Sequence, residues 1–225
     1  MRLIPRCLIL IVLLGCKARH EPVPREQHAG SGSSSTGVSS QPQAKTYDAI
    51  ARADFNRFAV RQNVPVYWAT DTNANKRIDP DEVAALLFYP TEGRWTQAGA
   101  FTPEFDKAYE QIVTASKSPN PTGPDVRRRQ LVAADLDQGR PTLVRSELAS
   151  ASGEDKAFVG HMMKLAELID HLYAKQNGAA ALDSKLPADP ESRSLFRRNR
   201  GPKCVAPATE KDPECSAIPG APKPV

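Results

Sequence analysis

Proline placement constrains this chain more than any other feature. Twenty of its 225 residues are proline, about twice ordinary usage, and eight of them fall in the last 39 positions. Each removes a backbone donor and fixes φ, so long helices and central strands must fit between them. The packable core is therefore expected within 46–186, with 187–225 wrapping it as a Pro-rich, irregular tail. At the other end, residues 31–40 read SGSSSTGVSS, and 17–45 carry no apolar period. That composition reads as a flexible linker. Charged residues make up 25%, and mean hydropathy is -0.46, which excludes a polytopic membrane protein. A net charge of +4 is too small to call for a nucleic-acid partner.

Between these ends the periodicity is helical. Residues 46–62 place Tyr47, Ile50, Ala51, Phe55, Phe58 and Ala59 on one stripe. Short helices are expected over 65–70 and over 80–88, the latter opened by Pro80. Thr102 and Pro103 form an N-cap and N1 pair. Phe105, Ala108, Tyr109, Ile112 and Val113 follow on one face. A further helix is expected over 125–135. The longest is expected over 153–176, capped by Ser152, with Phe158, Met162, Leu165, Leu168, Ile169, Leu172 and Tyr173 as its core stripe and His161 packed on the same face. No strand-period segment of useful length appears. The fold class is mainly α: a small helical domain with one EF-hand-like helix-loop-helix, a disordered N-terminal tether and an irregular C-terminal segment. Its divisions are 1–15, 16–45, 46–186 and 187–225.

Residues 1–16, MRLIPRCLILIVLLGC, join a positive start to an apolar run too short to span a membrane. Leu13, Leu14, Gly15 and Cys16 resemble a bacterial lipobox. The resemblance implies cleavage before Cys16 and a diacylglyceryl anchor on its thiol; the alternative is an ordinary secretory signal. Lys17, in place of the aspartate that signals inner-membrane retention, favours the outer membrane of a bacterial envelope. Cleavage would remove Arg2 and Arg6 and lower the net charge to +2. Cys7 would leave with the leader, so Cys204 and Cys215 remain, and outside the cytoplasm they pair most simply as a disulfide.

Residues 71–82, DTNANKRIDPDE, resemble an EF-hand calcium loop. Ca²⁺ takes six to eight hard oxygen ligands, which the loop supplies at alternating positions. The ligand set is Asp71, Asn73, Asn75, the Arg77 carbonyl, Asp79 and Glu82, with Ile78 as the apolar pin. Lys76 stands where the family carries glycine. With two neutral amide ligands and nearby cations, a Kd on the order of 10⁻⁵–10⁻³ M is expected. Asp79, Pro80 and Glu82 equally spell a metal-free helix start. A degenerate second loop over 135–147, from Asp135 to Glu147, would pair Thr142, Leu143 and Val144 with Arg77, Ile78 and Asp79. A polar interhelical loop is the alternative.

Eight of the fourteen aromatics lie between Tyr67 and Tyr109, as core or as a ligand platform. Arg127, Arg128 and Arg129, and the group Arg197, Arg198, Arg200 and Lys203, offer a solvated surface or contacts to anionic lipid or peptidoglycan. No HExxH, GxSxG, Walker or CxxCH motif occurs. The expected function is a calcium-binding envelope lipoprotein, its partners the membrane, through the lipid, and an unidentified envelope protein. Two alternatives remain: a metal-free interaction protein, or an N-terminal accessory module of a larger secreted enzyme. The combination of tether, loop and Cys pair is similar to the front part of bacterial lipoproteins related to the dipeptidyl-peptidase III type of zinc peptidase, whose HExxGH motif is missing here.

Overall fold

A computed structural model describes residues 45–86 and 94–220. The leader, Cys16 and the tether up to residue 44 lie outside the described residues, as do Phe88 and Tyr89. The described residues cluster as one compact unit.

The chain enters on Tyr47 and forms α1 (Arg52–Arg61), then β1 (Val66–Trp68). A single 3₁₀ turn at Pro80–Glu82 leads into β2 (Val83–Ala85). β1 and β2 pair antiparallel, Val66 opposite Ala85 and Trp68 opposite Val83. Within the helices expected over 65–70 and 80–88, residues 66–68 and 83–85 are therefore strand, and only the Pro80 start is helical, as a 3₁₀ turn. Val66, Tyr67 and Trp68 are β-branched or aromatic and fit a half-buried pleated surface better than a helix. A two-residue pair, β3 (Thr96–Gln97) with β4 (Ala100–Phe101), precedes α2 (Pro103–Lys117).

α2 starts as its sequence dictates. Thr102 Oγ1 accepts the Phe105 N–H, and Pro103 occupies the first turn, where its missing N–H costs nothing. Its five-residue stripe is buried against Phe55 and Phe58 of α1, Trp68, Ile78 and Trp95. Tyr47 packs edge-on against Phe101, Phe105 and Tyr109, at 4.6, 5.3 and 5.1 Å between ring centroids. The Tyr47 hydroxyl donates to Asp106, and burial together with that bond pushes its pKa up. The described aromatics of 67–109 are thus largely core, with Tyr67 half-buried.

A second core joins α3 (Val126–Asp137) to α5 (Pro190–Asn199) and the chain after it. Val132, Leu136, Leu195, Phe196, Ala217 and Ile218 fill it beside the Cys204–Cys215 disulfide. The tail therefore contains one unexpected helix, and its remaining described part, irregular as expected, contributes to a core rather than lying at the periphery. Asp189 caps α5 by accepting the Ser192 N–H, and Pro190 sits at N1, the same start signal as in α2.

The basic run on α3 also departs from expectation. Arg128 is buried and donates to Ser192 Oγ and to the Ser216 and Ala217 carbonyls. Arg129 reaches Glu191, and Arg127 reaches Asp212 and Glu214. Arg198 pairs with Asp135, and Arg200 with Asp170. These cations pair within the domain and with its tail, Arg127 remaining largely exposed.

The longest helix, α4 (Gly153–Gln176), has the expected span and cap, with Ser152 and Asp155 forming a reciprocal capping box. Its burial is not as expected. No residue of α4 is buried; Phe158, Leu168 and Ile169 are 63%, 65% and 58% exposed. His161 is exposed too. α4 touches the domain through Ala174, the Asp170–Arg200 ion pair and the following 3₁₀ segment, Ala179–Lys185.

Candidate metal centre

The 71–82 segment is the closed end of the β1–β2 hairpin. Beyond the ladder, the Ala69 N–H bonds the Glu82 carbonyl at 2.9 Å, drawing the first and last ligand positions together. On the other side of β1, buried Asn56 of α1 grips Trp68 twice, through its carbonyl and its N–H. The loop therefore grows from a fixed base.

Its candidate ligand side chains are oriented by the loop's own main chain. Lys76 N–H donates to Asp71 Oδ2, Asn75 N–H to Asn73 Oδ1, and Arg77 N–H to Asn75 Oδ1, at 3.2, 3.0 and 2.7 Å. Such short-range bonds from side-chain oxygen to backbone are what Asx residues form in tight turns. Asn73 and Asn75 each donate an amide N–H to Asp79 Oδ2, at 2.8 and 2.7 Å. Those two bonds hold the Asp79 carboxyl below its ordinary value. Ala74 and Lys76 both have positive φ, 56° and 59°. Lys76 thus adopts the left-handed backbone that favours glycine, at a cost of about 1–2 kcal/mol.

Glu82, only 2% exposed, is the anchor. Oε1 accepts the Thr72 N–H at 2.6 Å; Oε2 accepts the Trp68 indole N–H at 3.2 Å and the Asp79 N–H at 3.3 Å. The last of these is the helix-start bond read from the sequence as the metal-free alternative. The Trp68 partner was not anticipated; its signal was a buried tryptophan three residues before the loop, which needs an acceptor for its N–H. Among the candidate ligand side-chain atoms, Asp71 Oδ1 is buried and has no hydrogen-bond partner.

All six proposed ligand residues thus lie in one hairpin tip. Among the described residues the second loop does not join them. Asp135 and Asp137 belong to α3, Val144 is 89% exposed, and Ile78 donates its N–H to the Tyr47 carbonyl instead of pairing with 142–144. Asp137 is engaged by Arg57 and Arg61. Asp135 lies beside Cys204 and Cys215, a grouping with metal-like spacing. The sulfurs are joined to each other, however, and a metal would need free thiolates. Among the described residues no helix is long and apolar enough to cross a membrane. Comparisons with protein-family models, with curated proteins and with solved structures find no match to this chain.

Proposed function

We propose that the chain is a calcium-binding lipoprotein of the bacterial envelope, anchored through Cys16, with Ca²⁺ held by the hairpin tip. The observation that carries this reading is Asp71 Oδ1, a buried carboxylate oxygen without a partner at the first ligand position. A buried, unsatisfied anionic oxygen costs several kcal/mol unless a cation or donor meets it. Asp71, Asn73, Asn75, the Arg77 carbonyl, Asp79 and Glu82 would supply the oxygens. Calcium is a hard cation that suits such a set, and bound there it would brace the hairpin and any partner surface beside it.

Terbium luminescence tests the reading. The Trp68 indole touches Glu82, so bound Tb³⁺ would be sensitised directly, and Ca²⁺ would compete it away. Asp71→Asn should weaken binding at least tenfold, and Glu82→Gln further. With calcium at a hundred times Kd, the folded state gains about 2.7 kcal/mol. In a domain of this size that raises Tm by about 5–10 °C over chelator. Equal melting temperatures in calcium and in chelator would reject the proposal.

That outcome would favour the metal-free interaction protein, which one observation supports: both Glu82 oxygens already have donors from the protein. The accessory-module reading is tested separately, by reading the genomic frame past Val225 for a catalytic domain.

A further inference from the structure

We infer that α4 is a self-association helix whose exposed apolar stripe packs on α4 of a second copy of this chain. Phe158, Met162, Leu165, Ile169 and Leu172 follow one another at alternating spacings of four and three. This is the 3.5-residue period by which one helix packs along another. A helix that only covered a globular core would be buried along its stripe. Here the stripe runs over most of a 24-residue helix, roughly 36 Å long, and every one of its members is 45–63% exposed.

The area is sufficient. Leu168 and Tyr173 flank the stripe at 65% and 54% exposure. Taking roughly 150–200 Å² for each large side chain, the seven present about 600 Å² per chain. That is at the upper end of what a monomer leaves uncovered. Two copies would bury about 1,200 Å², where specific stable interfaces begin, before any rim contact is added.

The charge on α4 favours a helix over a bilayer as the occupant. α4 carries Glu154, Asp155, Glu167 and Asp170 against Lys156, Lys164 and Lys175, a balance with no cationic excess. Interfacial membrane helices carry Lys and Arg on the polar face to meet anionic lipid. A two-fold pairing also needs only one self-complementary surface, which this stripe provides. The inference does not depend on calcium.

Sedimentation velocity of the full chain, at about 1–100 µM, tests it. The expected result is a reversible dimer of twice the 24.5 kDa chain mass. The double variant Leu165→Glu with Ile169→Glu should weaken dimerisation about a hundredfold or more, since it places charges in the seam. Both side chains are solvent-exposed in the single chain, so its far-UV circular dichroism and Tm at low concentration should match the unmodified protein. A chain that stays monomeric at 100 µM, or a double variant that dimerises equally well, would overturn the inference. So would a monomer that instead floats with phosphatidylethanolamine–phosphatidylglycerol vesicles through this face, which would make α4 a membrane-docking helix.

Discussion

Replacing Asp135 by alanine should be among the most damaging single changes in the molecule. This carboxylate is 0% exposed and lies at the junction of α3 with the tail. Oδ2 accepts the main-chain N–H groups of Val205 and Ala206, at 3.1 and 2.9 Å, and the Thr209 hydroxyl at 2.6 Å. Oδ1 meets the Arg198 guanidinium. Alanine leaves those donors facing a void. Each buried donor left without an acceptor costs about 1–3 kcal/mol, and breaking a buried charge pair costs about 3–5. Water entering from the half-exposed Arg198 side recovers part of this, so a loss of about 3–5 kcal/mol is expected. At about 2–4 °C per kcal/mol, Tm should fall by about 6–20 °C. Urea unfolding followed by circular dichroism measures the loss directly, with Asp137→Ala as the comparison. Asp137 also carries ion pairs, with Arg57 and Arg61, but its side chain is 23% exposed, and its removal should cost about 1–2 kcal/mol. If Asp135→Ala lies within 1 kcal/mol of the unmodified protein, or costs less than Asp137→Ala, the role given to the carboxylate is wrong.

Three further outcomes follow from the same contacts. Reducing Cys204–Cys215 should lower stability by about 2–4 kcal/mol in equilibrium denaturation, and should go slowly, because both sulfurs are buried. Lys76→Gly should tighten terbium binding several-fold in a luminescence titration, since it removes a positive-φ side chain and a positive charge from the loop; weaker binding would contradict the assigned loop geometry. Stability should also fall in acid through Asp189. Burial alone would raise its carboxyl, but bonds from Ser192 and the Arg128 and Arg129 charges outweigh that and hold it below the ordinary value. The unfolded chain therefore takes up the proton first as pH drops. The contribution is intact above the normal carboxylate range and lost as pH falls through the lower, folded value. Urea unfolding at pH 7 and pH 3 should show Asp189→Asn losing less than the unmodified protein over that interval.

What the sequence disclosed divides by range. α2 was legible in full because its cap, its first-turn proline and its stripe lie within a dozen positions. α4 was legible as an element, through Ser152 and the apolar period, but its surroundings were not. Periodicity states which face is apolar and says nothing about what covers it. α5 carried the same Asp189–Pro190 start signal as Thr102–Pro103, yet the proline content of the tail masked it. The hairpin was misread because two three-residue strands offer too few positions to distinguish period 2 from period 3.6. In the candidate site, local spacing brought all six ligand residues to one tip. Trp68 and Thr72 as holders of Glu82 were hidden, because those bonds depend on how the hairpin closes. Arg128 and Asp135 were the least legible of all. Their partners lie 61–89 and 63–74 positions away, and their meaning comes from burial.

Those long separations set an order in which the molecule can assemble. The β1–β2 hairpin closes over fewer than twenty residues, and α1 and α2 lie close to it in sequence, so the first core can form from what a ribosome or an export channel delivers early. The second core cannot. α3 must wait, with Asp135 and most of the partners of Arg128 still missing, until residues 189–218 have arrived and the two cysteines have met an oxidant. During that interval its polar groups remain hydrated and its apolar face open, which is the state in which proteases and chaperones find a chain. The C-terminal segment thus acts as a late-arriving clasp, and the amount of finished protein should depend on how quickly that clasp is delivered and oxidised.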